Sequence, residues 1–193
     1  RLVLKAGNSD SDLLKDLPPD ILAQARLGEA RSYLDDGNSE KAIDIYSDVL
    51  AKTDLPAQTY RSAKSGLAEA LSGLGKHQEA QEQWETLLRE DLDSNERRHI
   101  ETLLAYGKLQ SGDIDGAQSA FQSLSKSADE ETRLLGMLGL AETSRSSGEL
   151  ERAKEYYRSV INRSPEKAYI IQAWQELALI ANEQDRPEEQ VAA

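Results

Sequence analysis

The chain has 193 residues, and its 35 Asp and Glu outnumber its 23 Lys and Arg, giving a net charge of −12. Such an acidic chain lacks the basic footprint that a phosphate backbone needs, which excludes nucleic acid as a partner class. No apolar run approaches the roughly 18–20 residues that span a bilayer, so direct membrane insertion is excluded too. With no cysteine there are no disulfides, thiol nucleophiles or thiolate metal sites, and five prolines among long Ala, Leu, Glu, Gln and Arg tracts favour helix throughout.

Residues 1–20 stand apart from the rest of the chain. Arg1-Leu2-Val3-Leu4-Lys5 reads as the tail of an upstream helix or a short extended piece, and Gly7 to Asp12 as a loop. Asn8-Ser9-Asp10-Ser11-Asp12 alternates oxygen ligands like the start of a calcium loop. However, Leu13 stands where that loop needs glycine and Pro19 where it needs the bidentate Glu, so a bare surface loop is expected. Pro18-Pro19-Asp20 opens the first helix, since proline is tolerated in a first turn. The chain begins with Arg and has no apolar signal region, which is read as a processed form or a fragment.

Beyond residue 20 a period governs the sequence. Gly37, Gly75, Gly112 and Gly148 are spaced by 38, 37 and 36 residues. Five positions after each lies Ala42, Ala80, Ala117 or Ala153, then after four more Tyr46, Trp84, Phe121 or Tyr157, and after three more Val49, Leu87, Leu124 or Val160. Seven positions before each glycine stands Ala30, Ala68, Ala105 or Ala141. A fifth copy begins with Trp174, Leu177, Ala178 and Ala181, but Asp185 replaces its glycine and Pro187-Glu188-Glu189-Gln190 lacks its alanine.

Each column has a physical reason. Spacings of four and seven put small and large apolar residues on one helical face. Glycine ends the first helix in a left-handed turn, and acidic residues behind it suit the positive end of a second helix. Alanines let paired helices approach, and the aromatic fills the wedge to the next pair. No pair can bury its apolar face alone, so pairs must stack. The connections at Asp54-Leu55-Pro56, Asp93-Ser94-Asn95-Glu96, Asp129-Glu130-Glu131 and Ser164-Pro165-Glu166 read as helix caps with acidic first turns, so the first helices run long.

These small–glycine–alanine–aromatic columns resemble the tetratricopeptide repeat over residues 21–190. The period of 36–38 exceeds the usual 34. The closing proline appears only as Pro165, and Glu29 occupies the apolar column filled by Leu67, Leu104, Leu140 and Leu177 elsewhere. The resemblance implies an all-α, right-handed superhelical solenoid of stacked antiparallel helix pairs. Four full repeats, approximately 21–55, 56–93, 94–129 and 130–165, precede a partial fifth over 166–193. Units of this length resemble those of bacterial envelope proteins, such as outer-membrane assembly and Tol–Pal-associated lipoproteins. That favours a soluble protein of the bacterial periplasm or envelope over a cytoplasmic one.

Catalytic and metal motifs fail on inspection. In Gly73-Leu74-Gly75-Lys76, Ala70 stands where a phosphate loop begins and His77 where its hydroxyl should be, so Gly75 is explained by the repeat. His77 and His99 share no metal-ligand spacing. No Gly-x-Ser-x-Gly elbow occurs. Acidic pairs such as Asp35-Asp36 and Glu130-Glu131 fall at turns as solvated charge. Asn162-Arg163-Ser164 fits a glycosylation site only formally, since Pro165 follows. The expectation is a non-enzyme without cofactor or metal.

The resemblance also implies where a partner would lie, because tetratricopeptide repeats contact ligands from the groove side of their first helices. In the first repeat these positions are Gln24, Leu27, Arg31 and Leu34; in the second, Ser62, Ser65, Glu69 and Ser72. The third offers His99, Thr102, Tyr106 and Leu109, and the fourth Leu135, Leu138, Glu142 and Arg145. Gln172, Gln175, Leu179 and Asn182 lie on the last helix. The Lys and Asn set with which some family members clamp acidic tails is absent. Tyr106 with Leu109, and Leu135 with Leu138, are the apolar anchor candidates, each worth roughly 1.5–3 kcal/mol if buried. The alternative is that some of these leucines merely pack between neighbours. Two functions are open: a scaffold holding a segment of another protein, or a non-catalytic module of a longer enzyme or envelope-assembly protein. In the second, Trp174, Leu177 and Ile180 on an unpaired last helix would self-associate.

Overall fold

The computed structural model of the chain describes residues 18–185, and all regular structure among them is helical. The chain divides between Glu90 and Asp91 into two compact units. The first holds α1 (Pro19–Asp35), α2 (Ser39–Leu50), α3 (Ala57–Gly73) and α4 (His77–Leu88). The second holds α5 (Ser94–Gln110), α6 (Ile114–Leu124), α7 (Glu130–Ser146), α8 (Leu150–Arg163) and α9 (Lys167–Asp185). Within each unit every helix packs on the next in sequence, and first helices also touch across a repeat, α1 on α3 and α5 on α7.

The helix ends obey the sequence. Gly37, Gly75, Gly112 and Gly148 have φ of 75°, 75°, 82° and 76°. After α1 the amide of Asn38 donates to the carbonyl of Tyr33 at 2.7 Å and that of Gly37 to Leu34 at 2.9 Å, and the other three glycines repeat the pattern. Such nested bonds satisfy the last carbonyls of a helix, and the left-handed φ they need costs glycine least. The first helices α1, α3, α5 and α7 are 17 residues each, against 11–14 for α2, α4, α6 and α8.

Asp93 caps α5 in a reciprocal box with Glu96, and the Asp129 carboxylate accepts from the Thr132 amide at 2.9 Å to cap α7. Asp54 does not cap α3, which starts at Ala57 behind Pro56 with no side-chain cap. The ring of Pro56 bars Leu55 from helical angles, so the helix cannot start earlier. Asn8 to Asp12 and Pro187 to Gln190 lie outside the described residues.

The alanine columns form the core seam. Ala30, Ala68, Ala105 and Ala141, and Ala42, Ala80, Ala117 and Ala153, are all fully buried, as are the four aromatics to within 3%. Between repeats of one unit the aromatic rests on glycine. A Cβ at Gly66 would lie 2.3 Å from Tyr46 Cζ, and one at Gly139 would lie 2.2 Å from Phe121 Cδ1. Gly28, at the same place in α1, has nothing within 4 Å.

The partial fifth copy shows the seam from its open side. Ala173 and Ile180 of α9 are buried with Tyr157 and Val160 of α8, while Ala178 is exposed. Ile180 therefore belongs to the core and not to an open face. It points back at the preceding pair, whereas Trp174 and Ala178 point where a second helix of their own repeat would lie, and none is described there. Trp174 is 58% exposed and Ile171 57%.

Candidate functional site

In the first unit the candidate positions form a paired surface. Leu27 and Leu34 of α1 are half-buried against the Ala30, Tyr46 and Ala63 core, and Gln24 is exposed. Arg31 crosses from α1 to α3, its Nη1 donating to Glu69 Oε2 at 2.8 Å, with Asp35 at 3.5 Å from its Nε. The Glu69 carboxylate raises the Arg31 pKa, and burial raises that of the Tyr46 phenol beneath the pair. Ser62 of α3 is exposed, and Ser65 and Ser72 are half-buried.

The second unit brings more of them together. Tyr106 of α5 stands edge-on to Phe121, ring centroids 4.8 Å apart at 71°. Leu109 is half-buried beside it against the α5–α7 core, Leu135 of α7 is half-buried, and His99 is exposed. Leu138 is 1% exposed and packs with Leu134, Ala141 and Tyr157. It is a core residue and presents no surface to a partner, because α8 and α9 close over that side of α7. Thr102 is likewise buried, its hydroxyl donating to the Arg98 carbonyl at 2.8 Å.

Glu142, Arg145 and Gln172 converge with residues the sequence did not single out. Arg145 Nη1 donates to Glu176 Oε2 at 2.7 Å and Nη2 to Glu183 Oε1 at 2.5 Å, tying α7 to α9. Among the described residues Glu142 accepts from the side-chain amide of Gln172 alone, at 3.4 Å. Tyr157 of α8 is fully buried beneath them, and its hydroxyl has no hydrogen-bond partner. Burial, then the nearby Glu176, pushes the Glu142 carboxyl up from 4.5 to about 7, with Arg145 pulling the other way. Burial and Glu142 together raise the phenols of Tyr106 and Tyr157. Leu179 is 47% exposed further along α9, and Gln175 and Asn182 are exposed.

Glu183 carried one faint sequence signal, and Glu176, 31 residues from Arg145, carried none. Opposite charges recur one period apart, Arg31 to Glu69 and Arg145 to Glu183, both 38 residues. Tyr157 carried none, because its column is fully explained as core. Among the described residues no group of three or more His, Cys, Asp or Glu could hold a metal ion. Nor is any helix there long and apolar enough to cross a membrane.

Known proteins agree with this architecture. Family models described as tetratricopeptide repeat match residues 102–168 and 62–86. No curated protein matches the chain. Among solved structures the chain is similar to one titled "MamA RS-1 ArsTM double mutant", with a TM-score of 0.58, 16% identity and 85% of each chain covered. At that identity the likeness speaks for the fold alone, an all-α helical solenoid. With glycine, alanine and aromatic columns at matching places in successive helix pairs, and two family matches over those pairs, this chain carries tetratricopeptide repeats over residues 62–86 and 102–168.

Proposed function

We propose that the chain is a non-enzymatic scaffold that holds a peptide or protein segment along the first-helix faces of its repeats. The observation that carries this is the α5–α7 face. There Tyr106, Leu109 and Leu135 offer partly exposed apolar area beside the polar cluster at Glu142. Repeat proteins bind in this way because rigid stacking fixes the first-helix side chains before the ligand arrives. The periplasm or envelope of a bacterium is the proposed compartment, on the resemblance of the long repeat period.

Photo-crosslinking tests the reading. A benzoylphenylalanine at exposed Gln175 of α9 is expected to capture a partner segment in extract from the source organism, and one at exposed Glu155 of α8 is not. Equal capture from both, or from Glu155 alone, overturns it.

A second reading has its own observation. Ile171, Trp174 and Leu179 of α9 are 57%, 58% and 47% exposed, a large apolar surface for one helix. It suits a module whose last helix pairs with more of a longer chain or with a second copy. Light scattering at rising concentration tests the second copy: self-association that Trp174→Ala abolishes supports it, and a monomer throughout excludes it.

A further inference from the structure

The cluster around Glu142 is out of electrostatic balance. Among the described residues three carboxylates, Glu142, Glu176 and Glu183, meet one guanidinium, Arg145, whose Nη atoms are directed to Glu176 and Glu183. That leaves Glu142 with an amide as its hydrogen-bond partner. A half-buried carboxylate without a paired cation is costly to ionise, so it either stays protonated or acquires one. The corresponding carboxylate of the first unit, Glu69, already has its cation in Arg31.

A second observation points the same way. Tyr157 is fully buried, its hydroxyl is without a partner among the described residues, and the charges that act on it are Glu142, Glu176 and Arg145. An orphaned buried hydroxyl costs free energy unless something turns it into a donor. Ionised Glu142 would do so. The groups facing Glu142 are Tyr106 from α5, Arg145 on α7, Tyr157 from α8 and Gln172 and Glu176 from α9. None of these but Arg145 is a cation.

We propose that Glu142 is the receptor for a basic side chain, Lys or Arg, of the segment that the α5–α7 face holds. The ammonium or guanidinium lies against the Glu142 carboxylate with the Tyr106 hydroxyl as a second acceptor. Tyr157 is a positioning residue that donates from beneath to the ionised carboxylate. This rests on the scaffold reading and names the chemistry of its partner. It also makes capture pH-dependent. A free Glu142 that titrates at about 7 is mostly neutral at pH 6 and mostly charged at pH 8, which is about a tenfold change in the binding-competent fraction.

The test uses three nine-residue Ala/Leu peptides, acetylated and amidated, that differ only in a central Lys, Arg or norleucine. They are titrated into the full chain with carbon-13-labelled glutamate and tyrosine, observed by NMR. The Lys and Arg peptides are expected to shift Glu142 and Tyr106 and to bind about tenfold more tightly at pH 8 than at pH 6. The norleucine peptide is expected to bind more weakly and without pH dependence. Glu142→Gln should remove the preference and its pH dependence, while Glu155→Gln on the exposed face of α8 removes the same charge and neither effect. Tyr157→Phe should move the pH midpoint upward. Equal binding of the three peptides, or a preference that survives Glu142→Gln in a folded variant, overturns the inference and leaves the scaffold standing. If no peptide shifts the α5–α7 face, both fall.

Discussion

Glu69 and Glu142 occupy one repeat position, on α3 and α7, and meet opposite fates. Glu69 lies across from Arg31, is 24% exposed, and forms an ordinary surface ion pair with it. Glu142 lies across from Tyr106, is half-buried beside Glu176, and has its carboxyl pushed up to about 7. The backbone is the same in both. What differs is the residue one repeat earlier, an Arg in the first unit and a Tyr in the second. In a repeat array the neighbouring copy sets the environment of each side chain, so chemistry is decided between repeats and not within them.

That contrast holds only if both units keep one register, and the largest expected effect breaks the register outright. Ala117→Glu inserts a carboxylate at a fully buried seam position. It should cost at least about 3 kcal/mol through overpacking and charge burial. Urea unfolding measures it, and a near-wild-type midpoint would mean that the seam is not where the columns put it.

Next in size is a pair of variants with opposite signs. The Glu142 pKa is raised on folding, from 4.5 to about 7, so its stabilising contribution is present below pH 4.5 and lost as pH rises through 7. Glu142→Gln should therefore stabilise the protein at pH 8 by on the order of 2–3 kcal/mol, with no gain at pH 4. Glu69→Gln removes a partly exposed pair and should cost under about 1 kcal/mol. Thermal melting of both across pH 4–8 decides the matter; parallel curves would dissolve the contrast.

The smallest effect sharpens the neighbour rule at glycine. Gly139→Ala drives a methyl into the Phe121 ring and should destabilise by about 1–3 kcal/mol. Gly28→Ala meets open space in the middle of α1 and should stabilise by about 0.5–1 kcal/mol. Differential melting reads both, and a shared sign would show that the two glycines do not differ through their neighbours.

The periodic part of the molecule was legible from spacing alone. Four glycines, two alanine columns and the aromatic column located the turn inside each full repeat and the seam between its helices, because a fully buried Cβ seat and a left-handed turn each tolerate few residue types. The candidate site was legible only as a set of positions. Tyr106, Glu142, Arg145 and Gln172 were on it, but Leu138 proved to be core and Ile180 turned away from the open face of α9. Which residues of a face reach solvent depends on how the next helices close over it, and one repeat's own residues do not contain that.

Sequence by itself therefore determined the repeat, its glycine turns and its small-residue seam, all set by local sterics within about forty residues. Tertiary structure decided the charge state of Glu142, the orphaning of the Tyr157 hydroxyl and the difference between Gly28 and Gly139. Each of these depends on the presence or absence of a neighbour in another repeat. Burial and pairing are properties of the contact, and a contact belongs to two segments at once.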